Sequence, residues 1–162
     1  MRWRILAIDT VIAEKSGGEL CEARLNWLAQ KLEQAPHRPT LIIMHHPPFK
    51  TFIGHMDKIG LANADALKAI VSQHRQVERV LCGHLHRPIQ VRWAGTLAST
   101  TPSPAHQVAL DLTDDAPSHF VMEPPGYQLH KWHVDSGLVS HTAYIGKFDG
   151  PYPFYDEGGL ID

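Results

Sequence analysis

The sequence has no apolar run long enough to cross a bilayer; its longest runs, such as Leu41 to Met44, fall far short of the roughly 20 residues a spanning helix needs. Its first ten residues, MRWRILAIDT, carry two arginines but neither a long apolar stretch nor a small-residue cleavage site, so they read as a strand and not as a secretory signal. Cysteine is scarce. Cys21 and Cys82 are the only two, each in an apolar or helical context, which excludes a disulfide framework and fits a reducing cytoplasm; a Cys21–Cys82 bridge carries little weight. Basic charge is also lacking. A net charge of −2 offers no field to draw in a polyanion, which excludes bulk nucleic-acid binding but not a small phosphate ester held by metal. There are no repeats and no low-complexity linker, and 162 residues suit one domain with a real core better than two.

What the chain does have is hydrophobic punctuation. Residues 3–9, WRILAID, have the length and apolar content of a buried strand. Ser16-Gly17-Gly18 makes a turn, and a helix is expected from about Glu19 to Gln34, with an apolar face of Leu20, Ala23 and Trp27 joined by Leu25, Leu28 and Leu32, until Pro36 and Pro39 stop it. TLIIM, residues 40–44, reads as a central parallel strand that ends abruptly at His45-His46-Pro47-Pro48. A loop through Gly54 and Asp57 precedes a second helix, about Ala62 to His74, with Leu67, Ile70 and Val71 inward; QVERVLC is then a third strand, broken by Gly83. Strand–helix–strand–helix–strand implies right-handed crossovers and an α/β fold for residues 1–87. From Pro88 the style becomes antiparallel β, with short strands expected at 89–93, 105–112, 119–122, 127–134 and 138–145, the last two joined by a turn at Asp135-Ser136-Gly137. The tail, 146–162, is aromatic and proline-rich and is expected to pack as an extended strip.

Histidine is abundant, 12 of 162 residues, and position decides its meaning. Two clusters sit just past the C-terminal ends of expected parallel strands, where open α/β sheets bind ligands. Adjacent strands bring their following loops together, so His45 and His84 can converge, and His86, two residues on, can reach the same metal or a neighbouring one. Gly83 permits an unusual backbone path there, and Pro47 and Pro48 stiffen the other loop. His106 could reach the pocket rim, but as a strand histidine it is expected to face solvent. His55 with Asp57 forms a candidate pocket-edge pair, Asp57 being otherwise a good turn or helix cap. Arg87 could meet a phosphate, although an exposed arginine after a turn needs no special role.

MHHPPF followed by CGHLHRP resembles the calcineurin-like metallophosphoesterases, and within them the class III cyclic-nucleotide phosphodiesterase and glycerophosphodiesterase branch. The likeness extends to the leading WRILAIDT, to Leu25-Asn26-Trp27-Leu28 and to the closing GPYPFYDE, so it covers most of the chain. It implies the C-terminal half of an α/β/β/α sandwich, with a more antiparallel, β-rich C-terminal part. It implies metal ligands at His45, His84 and His86, the first two on one metal and His86 on the other, and it makes His46 the catalytic candidate, behind the ligands or facing the phosphate. It implies metal-dependent hydrolysis of a phosphoester, most readily a cyclic nucleotide or glycerophosphodiester. In the related branch, the segment matching 88–145 contributes to a dimer interface.

The departure from the family pattern concerns the acidic ligands. The D-x-H, G-D and G-N-H blocks that precede the strand at which this chain starts do not occur; Asp9 and Asp57 lack the partners. A complete site holds two divalent metals, iron, manganese, zinc or cobalt, about 3.5–4 Å apart. Three imidazoles without a bridging carboxylate are expected to hold at most one well, and to favour zinc, copper or nickel. The chain is therefore expected to be a fragment or a mis-started reading frame, inactive or weakly active alone, with the missing N-terminal half or a homo-oligomer as partner. The competing expectation is a natural short homologue acting as a metal-binding or oligomerising module.

Overall fold

The computed structural model describes residues 3–156 and 158–160. In chain order the elements are β1 (Arg4–Ala7), α1 (Glu22–Glu33), β2 (Thr40–Met44), α2 (Gly54–Asp57), α3 (Ala64–Val71), β3 (Val77–Cys82), β4 (Gln90–Trp93), β5 (Thr96–Thr100), β6 (Gln107–Val108), β7 (Phe120–Val121), β8 (Gly126–His133), β9 (Gly137–Tyr144), β10 (Tyr155–Asp156) and β11 (Gly159–Leu160). The main sheet runs β1-β2-β3-β5-β4, parallel except for the β4–β5 hairpin at its far edge. The mixed α/β class expected from the sequence is the one observed.

Register explains the core. Leu6, Ile42, Val80 and Ala98 lie side by side across four strands, and each is buried. Period-2 alternation puts all four on one face, and α1 and α3 cover that face with Leu28, Leu32, Leu67 and Val71. The opposite face is covered only in part. The β8–β9 hairpin reaches it through Arg79, whose guanidinium donates to Ser140 Oγ and, at 3.2 Å, to the Leu138 carbonyl. Nearer β1, Ile5 and Ala7 stay exposed and Ile43 is 37% exposed.

Several expectations change here. The leading strand is shorter than 3–9 and sits at the sheet edge with one face open, so Ile5 is 54% exposed where burial was expected. The first helix begins at Glu22, and its inward stripe is Leu25, Leu28 and Leu32; Ala23 and Trp27 point out, because Leu20 already fills the core ahead of the helix. The second helix is trimmed to Ala64–Val71, and a single extra turn, α2, forms from the loop before it. β5 was not anticipated. Its signal is the two-residue turn Ala94-Gly95, with φ of 50° and 84°, which is the left-handed pair that joins tight hairpins. The strand expected at 105–112 reduces to Gln107–Val108 and the one at 119–122 to Phe120–Val121, while the 127–134 and 138–145 hairpin forms, with His133 opposite Gly137. The tail does not pack as a strip: Phe148, Tyr152, Phe154 and Tyr155 are all at least two-thirds exposed. Of the tail expected over 146–162, residues 157, 161 and 162 lie outside the described residues. Cys21 is exposed and Cys82 buried, and both are free thiols.

Candidate metal centre

The centre is built where β2 and β3 end side by side. His45-His46 leaves β2 and Gly83–His86 leaves β3, and the Gly83 N–H donates to the His45 carbonyl at 3.0 Å, which ties the two exits together. His45 Nε2 then stands 3.2 Å from His84 Nδ1. Two imidazole nitrogens on one tetrahedral metal at the usual bond lengths of roughly 2.0–2.1 Å would be about 3.3 Å apart, so this pair is already spaced as ligands are. Among the described residues, the one group of three or more metal-ligating side chains is His45, His46 and His84, whose ligand atoms lie within 4.8 Å of one another.

The HLH turn is unusual backbone. His84 and His86 take φ of 68° and 54°, the left-handed region that disfavours any residue with a Cβ. Between them Leu85 is 1% exposed and packs with Ile53, Met56 and Val108. Burial of that one leucine turns both histidines the other way, which accounts for the H-x-H spacing. His86 is set apart from the trio. Its Nδ1 lies 3.2 Å from the His106 carbonyl, and because a carbonyl only accepts, Nδ1 carries a proton, which in the neutral ring leaves the lone pair on Nε2.

Electrostatics keep the pair neutral. Burial pushes His84 down to about 4, assisted by the His46 and His45 rings, with the Ile59 backbone acting in the opposite direction. His45 is the more exposed of the two, and partial burial of its ring, then His46 and His86, lowers it as well. A neutral imidazole presents the lone pair that a cation requires. His84 Nε2 is buried and has no hydrogen-bond partner of normal geometry among the described residues.

His46 is 3% exposed, and both of its ring nitrogens are engaged. Nδ1 is 2.8 Å from Thr10 Oγ1, and Nε2 is 3.1 Å from the Ser16 carbonyl. Its ring lies 4.7 Å from that of His45 and 4.6 Å from that of His84. Thr10, Ser16 and Gly18, against which the His46 ring packs, were missed in the sequence because Ser-Gly-Gly signals a turn and nothing about what the turn closes over.

The remaining candidates separate by contacts. Asp57 is a cap: one carboxylate oxygen accepts from the Thr51 N–H and hydroxyl at 2.8 Å each, and the other from the Phe52 N–H at 3.0 Å. His55, nearby, keeps a buried Nδ1 without a hydrogen-bond partner among the described residues. Arg87 is committed to protein, donating to the Val108 carbonyl at 2.7 Å and Glu123 at 2.6 Å. His106 is not turned to solvent as expected; its ring lies between those of His86 and Phe120, 4.8 Å from each. Asp9 pairs with Arg24 at 2.9 Å. Beside His45 an open depression of about 520 Å³ is lined by Ala7, Asp9, Thr10, Ile43 and Gly83.

A histidine pair at the carboxyl ends of parallel strands, beside further imidazoles, makes a candidate metal centre on an α/β fold. The chain is similar along most of its length to curated phosphodiesterases. It is 48% identical over 161 residues to a probable glycerophosphodiester phosphodiesterase of Arcobacter nitrofigilis, covering 98% of this chain and 59% of that protein. It is 38% identical over 150 residues to a probable cyclic nucleotide phosphodiesterase of Rhodopseudomonas palustris, covering 91% and 54%. It is 32% identical over 143 residues to a 3′,5′-cyclic adenosine monophosphate phosphodiesterase of Escherichia coli, covering 87% and 50%. The chain thus spans about half the length of these curated relatives. No family model matches it. A solved dimetal phosphatase from Danio rerio overlaps 78% of this chain and 39% of its own at a TM-score of 0.47 and 18% identity, a likeness too slight to carry any argument. Among the described residues no helix is long and apolar enough to cross a membrane.

Proposed function

We propose that this chain supplies the histidine half of a dinuclear phosphodiesterase centre, with His45 Nε2 and His84 Nδ1 sharing one divalent metal and His86 Nε2 directed at its neighbour. The observation that carries this is the 3.2 Å approach of two imidazoles from adjacent strand ends. The donor set fits a borderline cation such as zinc or cobalt: neutral rings, correct spacing, and for His86 a backbone carbonyl that fixes the tautomer. When bound, such metals supply an activated water and polarise phosphoryl oxygens. The chain's own residues orient that chemistry. Leu85 sets the two loop histidines, and Gly83 joins the two loops. The depression beside His45 is the side from which carboxylate ligands would enter.

The substrate of the complete protein is then a small phosphodiester, a cyclic nucleotide or glycerophosphodiester as the names of the relatives suggest. The test is hydrolysis of bis(p-nitrophenyl) phosphate with manganese, cobalt or zinc. The chain alone is expected to show little or no turnover; robust turnover abolished by His84→Ala would show that these histidines suffice and would refute the half-site reading. A second reading, a metal-binding or oligomerising module, is favoured by the exposed apolar residues Tyr127, Leu129, Val139 and Tyr144 on the β8–β9 hairpin. Light scattering that finds a stable oligomer with metal bound and no hydrolysis would support it. A cytoplasmic setting accords with the two free thiols.

A further inference from the structure

We infer that Thr10, with the Ser16 carbonyl, is a positioning device that locks His46 in one tautomer behind the metal-binding pair, so that His46 acts as a fixed backing ring and neither ligates metal nor faces substrate. This rests on the proposed reading of His45 and His84 as metal ligands.

For a neutral His46 ring the hydrogen bonds admit one solution. The Ser16 carbonyl can only accept, so His46 Nε2 carries the proton. A neutral ring then has its lone pair on Nδ1, and the Thr10 hydroxyl must donate to it at 2.8 Å. The same Thr10 oxygen accepts the backbone N–H of His46 at 3.3 Å. One hydroxyl thereby fixes both the ring and the backbone of the residue next to His45. Thr10 is itself 1% exposed, and its carbonyl accepts the Glu19 N–H at 3.0 Å, so the loop from 10 to 19 closes on itself over the ring.

Gly18 completes the cradle. A Cβ placed there would fall 2.3 Å from His46 Nδ1 and 2.5 Å from its Cγ, so the ring fills the space a side chain would take. Gly18 is held from both sides, its N–H donating to Gly60 at 3.0 Å and its carbonyl accepting from Ala62 at 2.9 Å. The ring cannot slide toward the loop, and on its other side it stands against His45 and His84. His46 therefore limits how far those two rings can tilt back, which keeps their facing nitrogens at ligand spacing. Direct outer partners of metal ligands typically affect affinity about 10- to 100-fold when removed, and Thr10 acts one step further out, through His46, so the lower end applies.

The test uses cobalt(II) and the full chain. Thr10→Val keeps the shape of the side chain but removes the hydroxyl, and Thr10→Ser restores it. Thr10→Val is expected to lower cobalt affinity about tenfold and to alter the cobalt visible spectrum, with Thr10→Ser within about threefold of wild type. Wild-type affinity and spectrum in a folded Thr10→Val, or Thr10→Ser as weak as Thr10→Val, would overturn the inference. Nitrogen-15 NMR of the wild type decides the matter even where Thr10→Val does not fold: Nε2 of His46 must be protonated and Nδ1 not, and the opposite or a mixed tautomer overturns it. Failure of the wild type to bind cobalt at all would instead sink the reading of His45 and His84 beneath it.

Discussion

Replacing Leu85 with alanine tests how the backbone of the HLH turn is held. The side chain is 1% exposed, in a small cluster with Ile53, Met56 and Val108. Truncating a fully buried leucine costs about 3–5 kcal/mol where the site cannot collapse, and the lower end applies here because half-buried Ile59 and Ile89 can settle inward. In a chain of this size about 3 kcal/mol corresponds to a fall in melting temperature of about 6–12 °C. Metal binding adds a second effect. His84 and His86 each occupy the left-handed region at a cost of about 1–2 kcal/mol, sustained by the burial of the residue between them. Once Leu85 no longer anchors the turn, the histidines can relax, and cobalt affinity is expected to fall about tenfold, or about 1.4 kcal/mol. Ile53→Ala is the control: equally buried in the same cluster, it should lose comparable stability and hold cobalt within about threefold of wild type. Thermal unfolding of the metal-free proteins and calorimetric cobalt titration give both numbers. A Leu85→Ala protein that melts with wild type, or that melts early yet binds cobalt as wild type does, would refute the reasoning.

The pH dependence of the metal-free protein has a definite sign. His84 is lowered from 6.5 to about 4 in the folded state, so between those values the unfolded chain binds more protons. Its contribution is fully present above about pH 6.5 and lost as pH falls toward 4; discounted for a ring only half buried, it amounts to about 1–2 kcal/mol. Urea midpoints should fall over this window in wild type and fall less in His84→Gln, and equal slopes would count against it. Gly18→Ala is expected to destabilise by about 1–3 kcal/mol and to weaken cobalt binding, because the His46 ring must move off its hydrogen bonds to admit the methyl group. Wild-type melting and cobalt affinity for this variant would show that the ring has room.

The parallel strand order and the two histidine exits were legible because they rest on strong signals. TLIIM and VERVLC are short, β-branched or apolar runs broken by proline and glycine, and such runs end where ligands gather. Outward Trp27 and exposed Ile5 were not legible, since apolar spacing alone does not tell a core face from a face left open. β5 was hidden because its hairpin turn is Ala94-Gly95, a pair with one glycine where the stronger signals carry asparagine or aspartate. Within the site, the convergence of His45 and His84 followed from adjacency of strands, but the placement of Thr10 and Ser16 on His46 spans 36 and 30 residues and depends on a loop closure that no local pattern encodes. His106 was misjudged for a related reason: it lies just ahead of a strand only two residues long, so period-2 alternation could not fix its direction.

The central claim is that His45 and His84 act together on one metal, and calorimetric titration of the purified chain with zinc or cobalt at pH 7 addresses it directly. One strong site per chain is expected, lost in both His45→Ala and His84→Ala and kept in His141→Ala, whose side chain is exposed on the β9 hairpin strand. Binding that survives either of the first two substitutions at wild-type strength would contradict the account.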